Sequence, residues 1–222
     1  MTVLEIYDRY LIPANLRRHM LLVGGVSRII VDHFDGGLDG EVLVKTMLLH
    51  DMGNIIKFKF DNLDLLDDED KLRVNDLKAM KMRFIEKYGD DCDVATEIII
   101  GELTGDDRLV GLCANSHGEQ AHLFLGTNEW EKKASYYSDM RVGPFGVLSV
   151  NERFDDLEDR YGNNKGKIEQ LKRFRAECLE IEEQLQSKTS LDLMRIDDEL
   201  VAGVVDELKN IEFSIPQDKR VG

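Results

Sequence analysis

The sequence predicts an all-α protein, and three observations carry that prediction. Only three prolines interrupt 222 residues. Leu, Lys, Glu, Met and Ala, which lose little on entering a helix, are plentiful. Apolar residues recur at spacings of three and four along most of the chain, the period of one helical face.

In chain order, residues 2–10 predict a short helix that ends before Pro13. From Leu16 to about Phe34, Val23, Val26 and Ile30 mark one face, and His19, one turn before Val23, shares it. Gly24-Gly25 inside this helix is no G-x-G-x-x-G fingerprint and is expected to let another helix approach closely. The glycines of DGGLDG (35–40) make a turn. From Glu41 a further helix puts Leu43, Met47 and His50 on one stripe and Val44, Leu48 and Asp51 on its neighbour. Both polar residues are therefore expected on a wide buried face, and Gly53 lets the chain leave the helix after them.

The acidic run DNLDLLDDED (61–70) reads as a solvated loop or helix start, without the Gly and terminal Glu of a calcium loop. DGGLDGE fails the same comparison at Gly37. Residues 70–88 predict a helix with Leu77, Met80 and Phe84 inward and a stop at Gly89. Asp93–Leu103 and Asp107 to about Ser116 follow as helices. Asn128 and Glu131 suggest a capping box that opens the helix carrying Asp139, which Gly143-Pro144 ends. Val150–Tyr161 and Lys165–Gln186 are charged helices, the second with Leu171, Phe174, Cys178 and Ile181 as an inner seam. An amphipathic stretch, Asp197–Lys209, and an extended segment, Ile211–Ile215, close the chain. Residues 1–162 are expected to form a helical core. Residues 163–222 are read as an extension that packs on it or mediates dimerisation.

The formal net charge of -15 at pH 7 repels phosphate backbones and excludes general nucleic-acid binding. It leaves room for a small anionic substrate in a locally positive pocket. No apolar run approaches the roughly 20 residues of a membrane span. Three scattered cysteines without a C-x-x-C pair, and the lack of a signal-like start, point to a cytoplasmic protein with reduced thiols.

The chemistry concentrates in LLHDMGN, where His50 and Asp51 adjoin at the buried end of an apolar segment. Such a pair is costly unless compensated, and a divalent metal ion is the usual compensation. With His19 upstream in LRRHMLLVGGV and Asp139 downstream in YYSDMRV, the order His, His-Asp, Asp resembles the HD superfamily of metal-dependent hydrolases. The run SDMRVGPFGVLSVNERFDDLEDRY is similar to the segment that follows the last metal-binding Asp in many bacterial and archaeal members. The resemblance covers roughly residues 14 to 161.

This resemblance implies a bundle of five or more helices with His19, His50, Asp51 and Asp139 on one divalent ion. It also implies hydrolysis of a small phosphate ester, with a nucleotide the expected class. The mixed nitrogen and oxygen ligands suit Mn, Co, Fe, Zn or Ni, and Mg less well. Asp51 is the candidate catalytic carboxylate, able to orient or deprotonate the attacking water as well as ligate. Arg18, Lys57 and Arg141 are the preferred phosphate-binding residues because they lie near the ligands in sequence, with Arg153 and Arg160 as further cations. Asn54 stands where many members place Lys or Arg. His117 and His122 are candidates for a second metal or for substrate, although the further histidine such members carry after the dipeptide is missing. His33 reads as a cation at a helix end. Trp130, Tyr136 and Tyr137 line a pocket or pack in the core. Two other readings stay open: a non-catalytic metal-binding sensor or interaction protein, and an HD-type di-iron oxygenase.

Overall fold

The computed structural model describes residues 1–63, 66–114, 120–162 and 164–215. The fold is all-α: among these residues twelve α-helices are joined by turns and short 3-10 segments, and β-pairing is limited to isolated bridges. Among the described residues no helix is long and apolar enough to cross a membrane.

Helix α1 (Val3–Arg9) opens with a capping box between Thr2 and Glu5. Helix α2 (Ala14–His33) buries Met20, Val23, Val26 and Ile30, the face the periodicity predicts. Its N-cap residue, Pro13, offers no side-chain acceptor. Asp70 of α4 (Asp68–Leu72) supplies one instead, and its buried carboxylate accepts from Ala14 N at 2.8 Å and from Arg73 Nη2 at 2.8 Å. Asp70→Ala removes this cap in trans and is expected to cost about 1–2 kcal/mol in urea unfolding, the range for lost N-caps. An unchanged unfolding midpoint would rule out the cap.

Helix α3 (Gly40–Met47) is shorter than its periodicity implies. The predicted helix runs through Asp51, but the chain tightens after Met47, with Leu49 N donating to Thr46 O at 2.9 Å and Met52 N to Leu49 O at 3.1 Å. A 3-10 segment, Met52–Lys57, follows. His50 and Asp51 therefore sit in the turn beyond the helix. His50 is still buried and Asp51 half-buried.

Helices α5 (Val74–Tyr88), α6 (Cys92–Thr104) and α7 (Asp107–Ala114) wrap the outside of this turn. Gly53 meets α6 so closely that a Cβ there would lie 2.2 Å from Cys92 O and 2.9 Å from Thr96 N. Its own N–H donates to Thr96 Oγ1 at 2.8 Å.

After α8 (Ala121–Phe124) comes α9 (Trp130–Met140), which lacks the capping box expected from Asn128 and Glu131. Its N-cap is Glu129, without a side-chain bond, and Glu131 instead accepts from Asp39 N at 2.7 Å across the bundle. Tyr136 and Tyr137 belong to the core, and Trp130 packs on Phe34 with ring centroids 5.6 Å apart. A capping box does open α10 (Val150–Tyr161), between Ser149 and Glu152.

Helix α11 (Lys165–Gln186) buries the seam Leu171, Phe174, Cys178 and Ile181 against α9 and α10. Helix α12 (Asp198–Lys209) runs along α2. There the paired glycines do what the sequence suggests: a Cβ at Gly24 would lie 2.7 Å from Leu48, and one at Gly25 2.6 Å from Val201. Beyond α12, Phe213 N donates to Met1 O at 2.8 Å, so the extended segment pairs with the start of the chain. The extension thus packs on the core. All three cysteines are free thiols and buried.

Candidate metal centre

Three elements that pack on one another, α2, the turn after α3 and α9, bring the expected ligands together. His19 Nε2 lies 3.1 Å from Asp139 Oδ1 and 3.6 Å from Asp51 Oδ2. His50 Nε2 lies 3.5 Å from Asp139 Oδ1 and 3.8 Å from Asp51 Oδ2. One ligand atom each from His19, His50 and Asp139 falls within 4.8 Å of the other two, and Asp51 sits at the edge of this group.

His50 shows most clearly what the group is built for. Its Nδ1 lies 2.7 Å from Met47 O, and a carbonyl only accepts, so the proton is on Nδ1. The helix end thereby gains a donor for a carbonyl left free where α3 stops, and the imidazole is locked in one tautomer. Its Nε2 then faces the cluster. That atom is buried and has no hydrogen-bond partner, because Asp139 stays 3.5 Å away. A buried polar atom left bare costs about 1–3 kcal/mol, which a bound cation offsets. Two imidazole nitrogens and two carboxylates are a donor set that a divalent transition ion fits.

Without an ion the same carboxylates favour a proton on His50. Burial alone lowers its pKa, but Asp51, Asp139 and the Met47 carbonyl outweigh it and push it up to about 9, so a cation must displace the Nε2 proton to bind. Burial raises the Asp139 carboxyl, yet His19 and His50 hold it well below the usual carboxylate range. Two carboxylates converge here on more negative charge than the imidazoles neutralise, so the site attracts positive charge.

No family model matches this chain, and neither a curated protein nor a solved structure does. The site's chemistry therefore rests on its own residues.

The ligand group opens on a cavity of about 300 Å³. His19 and Asp51 form part of its wall, Leu22, Phe58 and Pro144 an apolar side, and Arg18, Arg153 and Arg160 a cationic one. Against a net charge of -15 this is a local reversal of sign.

Of the three preferred phosphate-binding residues, only Arg18 lines the cavity. Lys57 is more than half exposed, 3.8 Å from Asp93, and is not part of the wall. Arg141 is corrected outright: it is 1% exposed and its guanidinium is committed to the fold. It donates to Leu148 O, to Leu193 O at 2.8 Å, to Ile196 O at 2.7 Å and to the Tyr137 hydroxyl at 2.5 Å. Burial pushes the Tyr137 phenol up, so its hydroxyl keeps its proton and donates to Glu182. Arg141 thus ties the end of α9, and with it Asp139, to the segment before α12.

His122 is exposed on α8 and does not join the ligand group. His117 lies outside the described residues. His33 ends α2 with its Nδ1 2.8 Å from Ile29 O, as a helix-end residue should. Sequence reading missed Asn15, which lines the cavity and whose buried Oδ1 has no partner. Its signal was its place four residues before His19, hence on the same helical face.

Proposed function

We propose that the chain is a metal-dependent phosphohydrolase acting on a small phosphate ester, with nucleotides the first class to test. The observation that supports it best is the bare Nε2 of His50 beside Asp139 and His19, the last of which lines a cavity with a cationic wall. A bound divalent ion would supply a water deprotonated near neutral pH and would polarise a phosphoryl oxygen.

The residues divide the remaining work. His19 and His50 offer Nε2 atoms, and the Met47 carbonyl holds the His50 ring through Nδ1 so that Nε2 is the atom that can ligate. Asp139 adds charge from the end of α9, held in place by its two imidazole neighbours. Asp51 is looser, reaches both imidazoles at 3.6 and 3.8 Å and lines the cavity, so it is placed to orient a water and take its proton.

The test is phosphate release from a panel of nucleotides and simple phosphate esters, with and without added Mn²⁺. Metal-stimulated release is expected, and Asp51→Ala should lower it at least about 100-fold, the low end for a lost general base. Circular dichroism should show the variant folded. Full activity in folded Asp51→Ala would sink the assignment. Elemental analysis of the purified protein should give one equivalent of metal.

A further inference from the structure

The cavity's cationic wall has a feature that ligation does not explain. Arg153, in the first turn of α10, has a side chain only 13% exposed, yet its Nε is buried without a hydrogen-bond partner. A buried guanidinium N–H normally finds an acceptor, so this arginine carries donor capacity that the protein itself does not use. The carboxylates nearby are too few. Arg153 and Arg160 share one oxygen, Asp156 Oδ2, at 3.1 and 2.5 Å, and Arg18 reaches Asp67 only at 3.8 Å. Three guanidiniums on the wall thus have two carboxylates between them, in a chain that is acidic elsewhere.

We propose that Arg153, assisted by Arg18 and Arg160, forms a binding subsite for a single phosphoryl group, so that the substrate is a phosphate ester with one phosphoryl group rather than a di- or triphosphate. The charge selects among phosphates. A divalent ion would balance Asp51 and Asp139, which leaves the wall one positive charge in excess. A single phosphoryl group, about -1 as a diester and about -1.5 to -2 as a monoester at pH 7, comes nearest to that excess. A di- or triphosphate brings more negative charge than the wall can meet. The three arginines also differ in stiffness. Arg153 is packed in place, whereas the Arg18 and Arg160 side chains are 57% and 48% exposed and can close on a ligand. Arg153 therefore supplies the fixed donors and sets position.

The identity of the anion as substrate rests on the phosphohydrolase reading; the existence of the subsite does not. Equilibrium dialysis of inorganic phosphate against the full chain, once with chelator and once with Mn²⁺, separates the two. Phosphate should be retained in chelator and held more tightly with Mn²⁺. Arg153→Gln should weaken both by about tenfold, and Arg153→Lys by less, because Lys keeps the charge but loses the fork. Folded Arg153→Gln with unchanged phosphate affinity overturns the subsite, whatever Mn²⁺ does. If Mn²⁺ adds nothing while Arg153 still matters, the metal reading fails and the subsite stands. Should Arg153→Gln not fold, the exposed pair Arg18→Gln/Arg160→Gln carries the test, and unchanged affinity there overturns the proposal equally. Tighter retention of inorganic triphosphate than of monophosphate in chelator would overturn the single-phosphoryl assignment.

Discussion

His50→Ala is expected to fold and to bind a divalent ion at least about 100-fold more weakly than the parent. Loss of a residue that only supports a ligand already costs roughly 10–100-fold in affinity, and His50 is proposed as a ligand itself. The fold should tolerate the change. The substitution gives up one bond to Met47 O, but it also removes a buried nitrogen that has no partner in the metal-free protein. The clearest readout is thermal. An ion that binds the native state at 100 times its Kd stabilises it by about 2.7 kcal/mol, so the parent's Tm should climb with added Mn²⁺ or Zn²⁺. The Tm of His50→Ala should stay flat at the same concentrations. A variant that gains as much as the parent would show that the ion binds elsewhere.

Gly53→Ala is expected to damage both fold and site, although Gly53 touches neither ligand nor cavity. A Cβ 2.2 Å from Cys92 O and 2.9 Å from Thr96 N meets backbone, which cannot swing aside as a side-chain tip can. The 3-10 segment or α6 must shift, and the bond from Gly53 N to Thr96 Oγ1 is lost with it. Overpacking of this kind costs about 1–3 kcal/mol, and the broken buried hydrogen bond about 1–3 more. Because the displaced segment begins immediately after Asp51, metal affinity should fall alongside stability. Urea unfolding and metal titration on one preparation check both. A variant with parental stability would mean that α6 yields freely.

The fold was largely legible in the sequence because most helices bury one stripe of apolar residues, and the three-four period reports that directly. It misled where a side chain replaced a backbone partner. Nothing in the apolar pattern after Glu41 marks an end at Met47; the helix stops there because the His50 imidazole takes the Met47 carbonyl. The pattern placed His50 inward correctly and by the wrong geometry. Asn128 and Glu131 have the spacing of a capping box, but Asp39 on another element claims the Glu131 carboxylate.

The four candidate ligands could be read from residue type and order. The cations around them could not. Arg141 was chosen for standing two residues from Asp139, but at 100° per residue on a helix it faces away from it. Arg153 comes into range because a different helix, α10, folds back across the cavity. Nearness along the chain measures nearness in space poorly at that separation.

The pairing of Phe213 with Met1, and of α12 with the glycine face of α2, bears on how the protein is made. Helix α2, which carries His19, leaves the ribosome well before α12, whose Val201 covers Gly25. During translation α2 has one apolar side without its cover, and the first ligand is not held in register. Closing so long a loop is entropically costly and slow relative to local helix formation. On the metal reading, ion capture should therefore wait until α12 has emerged and docked on α2.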